Sequence, residues 1–151
     1  MERGIRSLFF VAAAAALVLG CASATHTGSA EASAQTASPA LAQVYFWRAR
    51  PGKAADYSRY IREIAEPIDA AAQRAGAFIS VTTYAASDTT VPWTHMRVFL
   101  LRDSSQLKGL SDALTAAGAR VEPDSAKRRR QGEYSATLRD RVGAAVMTIV
   151  R

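Results

Sequence analysis

From residue 43 onward, apolar positions recur with two different periods. Gln43–Arg50 alternates, with Val44 and Phe46 on one side and Tyr45 and Trp47 on the other, which predicts a strand. Pro51-Gly52 marks a turn. The spacing then changes to three and four. Tyr57, Ile61, Ile64, Ile68, Ala71 or Ala72, and Ala75 predict an amphipathic helix from about Lys53, closed by Gly76 in the left-handed region. Arg59 with Glu63 and Arg62 with Glu66 pair on its outer side. Pro67 lacks a backbone donor and predicts a kink or split.

Ala77–Tyr84 predicts a second strand, with Ile79 and Val81 opposite Phe78, Ser80, Thr82 and Tyr84. A polar hairpin loop, Ala85–Pro92, leads to a third strand, Trp93–Leu101. Its faces carry Met96, Val98 and Leu100 on one side and His95, Arg97 and Phe99 on the other. Asp103 is a predicted N-cap with Gln106 reaching back. Leu107, Leu110, Leu114 and Ala117 form the stripe of a second helix ending at Gly118. Pro123 and Asp124 start a weaker third helix through about Arg141, interrupted by Gly132 and broken by Gly143. Ala144–Val150 predicts the last strand.

The order β-α-β-β-α-(α)-β predicts an α+β class fold, a ferredoxin-like antiparallel sheet with helices on one face. One helical layer covers one sheet face. The apolar set Val44, Phe46, Ile79, Val81, Met96, Val98 and Leu100 is expected beneath it. The opposite face is then expected to collect Tyr45, Trp47, Phe78, Ser80, Thr82, Tyr84, His95, Arg97 and Phe99.

The N-terminus reads as an address. Arg3 and Arg6 precede a 12-residue apolar run, Leu8–Leu19. That is short for a membrane span, which needs ~20 residues, and fits the apolar region of a signal peptide over 1–20. Val18-Leu19-Gly20-Cys21 resembles the lipobox of bacterial lipoproteins, although Leu19 stands where a small residue is common. The resemblance implies lipidation of Cys21 and a membrane-anchored protein on the periplasmic side of the envelope. Ala22 lacks the aspartate associated with inner-membrane retention. A secretory signal cut after Ala22-Ser23-Ala24 is the other reading. Residues 21–40, rich in Ala, Ser and Thr, are expected to form a flexible tether, leaving 41–151 as the folded domain.

The stretch W-R-A-R-P-G-K-A-A-D-Y, a helix with an internal proline and a closing A-G, and the strand W-T-H-M-R-V-F-L-L are similar to small dimeric α+β barrel domains. These include the antibiotic-biosynthesis-monooxygenase-like and NIPSNAP-like groups. The resemblance covers about 42–118 and the final strand, and the insertion 119–143 departs from it. It implies a homodimer in which two sheets form a barrel.

Composition narrows the chemistry. The formal charge of +6 falls to +5 without residues 1–20, and Lys127–Arg130 supplies much of the excess. That run reads as a solvated helix face or as a contact for anionic lipid or polysaccharide. Export argues against nucleic acid as a partner. The lone cysteine excludes an intrachain disulfide and a thiolate zinc cluster. No serine elbow, phosphate loop, dinucleotide-binding glycine motif or H-E-x-x-H motif is present. No metal site and no cofactor are expected.

The candidate ligand-binding residues are Tyr45, Trp47, Tyr84, His95 and Arg97, an aromatic wall with sparse polar groups. The same composition suits a homodimer interface. His95 is the candidate catalytic base, with a buried structural role and axial haem ligation as other readings. Arg97 is a candidate partner for an anionic substrate. The expected role is binding or structural, with a small aromatic ligand. The alternative is a cofactor-independent monooxygenase-like enzyme acting on an aromatic or quinone-like substrate.

Overall fold

The computed structural model describes residues 38–150. The expected signal over 1–20, Cys21 and all but the end of the tether lie outside the described residues. Four strands form one antiparallel sheet: β1 (Leu41–Ala49), β2 (Ser80–Ala85), β3 (His95–Leu101) and β4 (Arg139–Thr148). Their spatial order is β2-β3-β1-β4, so β1 is central and pairs with both β3 and β4. This is the ferredoxin-like arrangement. No helix among the described residues is long and apolar enough to cross a membrane.

The first helical segment is split, as Pro67 predicts. α1 (Ala54–Tyr60) passes into a π-helical turn, Ile61–Ala65, and then α2 (Glu66–Arg74). Pro67 stands in the first turn of α2, where its missing donor costs little. Gly52 and Gly76 take the left-handed backbone their turns require, with φ of 72° and 79°. Asp103 caps α3 (Ser104–Val121) by accepting from the backbone N–H groups of Ser105 and Gln106. Gln106 reaches back to the Arg102 N–H at 2.7 Å. Asp124 caps α4 (Ser125–Leu138) in the same way.

Three expectations about extent are corrected. α3 does not stop at Gly118 but continues to Val121, with Gly118 buried where the helix faces Ile68. α4 runs through Gly132 without interruption. The last strand begins at Arg139 instead of Ala144, because 139–143 pairs with β1 and does not extend the helix.

The larger correction concerns the sheet faces. The helices cover the face carrying Tyr45, Trp47, His95, Arg97 and Phe99, with Val81 beside Phe99. Val44, Phe46, Met96, Val98 and Leu100 lie on the opposite face, together with Ser80, Thr82 and Tyr84. Val81 was expected with the second set, and Ser80, Thr82 and Tyr84 with the first. Phe78 lies in the helix-side core, before β2 begins.

Two apolar clusters fill the space between helices and sheet. One joins Ala72, Phe78, Phe99, Leu101, Leu110 and Ala117. The other joins Ala49, Tyr57, Ile61 and Leu138, with Trp47 and Tyr60 against it.

Candidate functional site

Residues from both clusters line a partly open cavity of about 380 Å³ between the helices and the sheet. Its size lies within the ordinary range for small-molecule sites. Trp47, Tyr57 and Tyr60 supply aromatic surface, Ile61, Ile68 and Leu114 aliphatic surface. Its charged residues are Asp69, Arg97, Arg128 and Arg139.

The cavity owes its cations to an irregularity in β4. The pairing runs Val44 to Ala145, Tyr45 to Ala144 and Phe46 to Gly143, then skips Val142 and resumes as Trp47 to Arg141 and Ala49 to Arg139. The skipped residue is a β-bulge, which reverses the side-chain alternation beyond it. Arg139 and Arg141 therefore join Trp47 and Tyr45 on the helix-covered face. The guanidinium of Arg139 lies over the Trp47 ring, with Cζ 3.3 Å from the ring centroid. Arg141 sits 5.2 Å from the Tyr45 centroid. Both are diagonal cross-strand contacts with cation–π character. Burial lowers the pKa of Arg139, because removing water disfavours its charged form.

Arg97, the β3 partner of Tyr45 in the ladder, reaches the helix layer and pairs with Asp69. Asp69 is only 4% exposed. Burial raises its pKa above the ordinary carboxylate value, and the neighbouring Arg97 charge and hydrogen bond oppose that shift. The π turn explains how a carboxylate comes to face the core. One extra residue in the turn displaces later positions by about one residue, near 100° of helix rotation. Asp69 thereby takes the inward place that uninterrupted periodicity gives to Ile68.

Tyr57, 1% exposed, packs between Arg139 and His95. Burial pushes its phenol up to about 12, against the nearby charges of Arg139 and Arg97.

His95 is 3% exposed and has both ring nitrogens engaged. Nε2 is 2.9 Å from Ser58 Oγ, and Nδ1 is 2.9 Å from Thr94 Oγ1. Ser58 donates its hydroxyl hydrogen to the Ala54 carbonyl at 3.0 Å, so its oxygen accepts from Nε2–H. Thr94 Oγ1 accepts from the Ala49 N–H at 2.7 Å and gives its one hydrogen to the nearer Nδ1, since the Trp47 carbonyl, 3.3 Å away, already accepts from the Thr94 N–H. Every partner is satisfied by a neutral imidazole. Burial lowers the His95 pKa, which favours that neutral form.

Of the five residues expected to bind ligand, Trp47 and Arg97 line the cavity. Tyr45 packs edge-on against Phe99 and takes the Arg141 contact. His95 faces Ser58 and two smaller depressions beside β2. Tyr84 lies on the other side of the sheet, half exposed. The sequence reading did not identify Tyr57, Asp69 or Arg139 as site residues. A carboxylate two residues after Pro67, inside the otherwise apolar stretch Ile68–Ala72, was the available signal for Asp69. For Arg139 no local signal existed, because it was assigned to a helix end.

The basic run divides on inspection. Lys127 pairs with Glu122, and Arg129 with Glu133 at 3.6 Å. Arg128 donates to the carbonyls of Glu122 and Pro123 at 2.6 and 2.9 Å and borders the cavity.

No family model and no curated protein matches this sequence. Solved structures do. The crystal structure of HapK from Hahella chejuensis covers 73% of this chain and 92% of its own, with a TM-score of 0.50 and 10% sequence identity. The crystal structure of PA3566 from Pseudomonas aeruginosa covers 76% and 96%, with a TM-score of 0.41 and 17% identity. At 10% identity the likeness to HapK extends to the fold: an α+β protein built on a four-stranded antiparallel sheet.

Proposed function

We propose that this protein binds a small aromatic molecule in the cavity between its helices and sheet. The observation that carries this reading is the lining itself: a cavity of about 380 Å³ walled by Trp47, Tyr57 and Tyr60, with the charged groups of Asp69, Arg97, Arg128 and Arg139 along its border. The chain has two tryptophans, and Trp93 does not border the cavity. A Trp93→Phe variant therefore reports from Trp47 alone. Titration with 2-naphthalenemethanol and 2-naphthoate should change its fluorescence saturably. The Trp47→Phe variant should show no such change. The absence of a saturable response to either probe overturns the binding reading.

The protein would work as a homodimer. The sheet face bearing Phe46, Met96, Val98 and Leu100 has no helix over it among the described residues. A second copy meeting this face would close two four-stranded sheets into a barrel, as the sequence resemblance to dimeric α+β barrels implies. The lipobox-like Val18–Cys21 supports export to the periplasmic side of a bacterial envelope, with a lipid on Cys21 as membrane anchor.

A catalytic reading is favoured by one observation. Asp69 borders the cavity and its carboxyl is held above the ordinary range by burial. It is thus better placed than His95 to exchange a proton with a bound substrate. A monooxygenase-like reaction on an aromatic or quinone-like substrate would require it. Asp69→Asn should then abolish turnover while retaining binding; undiminished turnover removes Asp69 from the chemistry.

A further inference from the structure

We infer that the ligand is an aromatic anion, a carboxylate or phenolate on one or two rings, whose negative charge is received by Arg139. This inference rests on the proposed binding function and specifies its ligand class.

The argument starts from an imbalance of charge. Three arginines border the cavity, Arg97, Arg128 and Arg139, against one carboxylate, Asp69. Asp69 is engaged by Arg97. Arg128 is held at one end by two backbone carbonyls. Arg139 forms no ion pair with any of the described residues. Its Nε–H is buried and donates to no acceptor among the described residues. The neighbouring ionisable groups are Tyr57, Tyr60 and Arg97, none of which supplies negative charge at neutral pH. A guanidinium removed from water is costly unless it is paired. The Trp47 ring compensates part of that cost through its face but offers no acceptor to Nε–H.

The shape of the site selects the ligand class. An arginine held flat by an aromatic ring presents its donors in the plane of the guanidinium, which matches two oxygens of a carboxylate. Beside it, Tyr60, Ile61 and Leu114 offer apolar wall for a ring. An inorganic anion would satisfy the charge and leave this wall unused. A neutral aromatic would use the wall and leave the charge unpaired.

The test compares 2-naphthoate with its neutral carboxamide, 2-naphthamide, by calorimetric titration of the full chain. A charge-assisted pair in a partly buried site should favour the carboxylate by about tenfold or more in Kd. Arg139→Gln should erase that preference, bringing naphthoate and the amide to equal affinity within the variant. Arg139→Lys, which keeps charge without the planar fork, should retain an intermediate preference. Equal affinity for carboxylate and amide in the unaltered protein overturns the inference and leaves the aromatic site standing. Failure of both to bind removes the site as well. The comparison within the unaltered protein does not depend on how well any variant folds.

Discussion

Asp69 on α2 and Arg97 on β3 form an ion pair that joins the helical layer to the sheet, with both side chains almost wholly out of solvent. Removing one partner leaves the other charge buried and unpaired. Asp69→Ala should destabilise the fold by on the order of 3 kcal/mol or more. Replacing both, Asp69→Leu with Arg97→Met, should recover most of that loss, because no desolvated charge remains. Urea unfolding of the two single variants and the double variant measures the coupling. Additive losses would show that the pair does not act as a unit.

The neutral His95 network predicts a specific pH dependence. The folded pKa lies below the unsubstituted value of 6.5. Above pH 6.5 the imidazole is neutral in both states, and the contribution to stability is complete. As pH falls below 6.5, the unfolded chain takes up the proton first, and stability declines until the folded pKa is passed. The urea midpoint should therefore fall between pH 7.5 and 5 in the native protein. His95→Gln should lack this component across the same window, leaving only the titration of other groups.

Tyr57 should ionise near pH 12, its phenol held up by burial. Its raised folded pKa means that its contribution to stability is complete below pH 10 and declines as pH rises above it. Ultraviolet titration of phenolate absorbance in the native protein and in Tyr57→Phe isolates it by difference. A difference curve centred near pH 10 would mean that water reaches the phenol.

Val98 lies on the sheet face opposite the helices, with Val44 across the ladder in β1 and Thr82 in β2. A carboxylate placed there should prevent two sheets from meeting while facing solvent in a lone protomer. Val98→Glu should halve the mass observed by sedimentation and leave the far-ultraviolet circular dichroism unchanged. A native protein that already sediments as a monomer would remove the barrel from the proposal.

Much of the fold is legible along the chain because its punctuation is local. Gly52, Gly76, Asp103 and Asp124 each do in the structure what their residue type predicts. The faces of the sheet were not legible in the same way. Alternation in β1 and β3 shows that two faces differ, but it does not say which one the helices take. The more apolar set is the natural choice. Here the helices take the other: Tyr45, Trp47 and Phe99 pack into the helix-side clusters, and Ser58 and Asp69 carry partners for His95 and Arg97 across the layer. Those pairings join residues 37 and 28 positions apart, beyond the reach of any periodicity. The π turn and the β4 bulge hid Asp69 and Arg139 for the same reason: each adds one residue to a count that assumes regular repetition.

The bulge at Val142 has a consequence for how this cavity could change its preference. In a regular ladder continued from Gly143, Trp47 would face Val142 and Ala49 would face Asp140. Arg139 and Arg141 would turn to the far side of the sheet. One residue of slack between two strands thus decides whether the chamber presents a cation or an anion to its contents. Its sign resides in alignment, not in composition, and a one-residue slip would invert it while leaving the chain's net charge untouched.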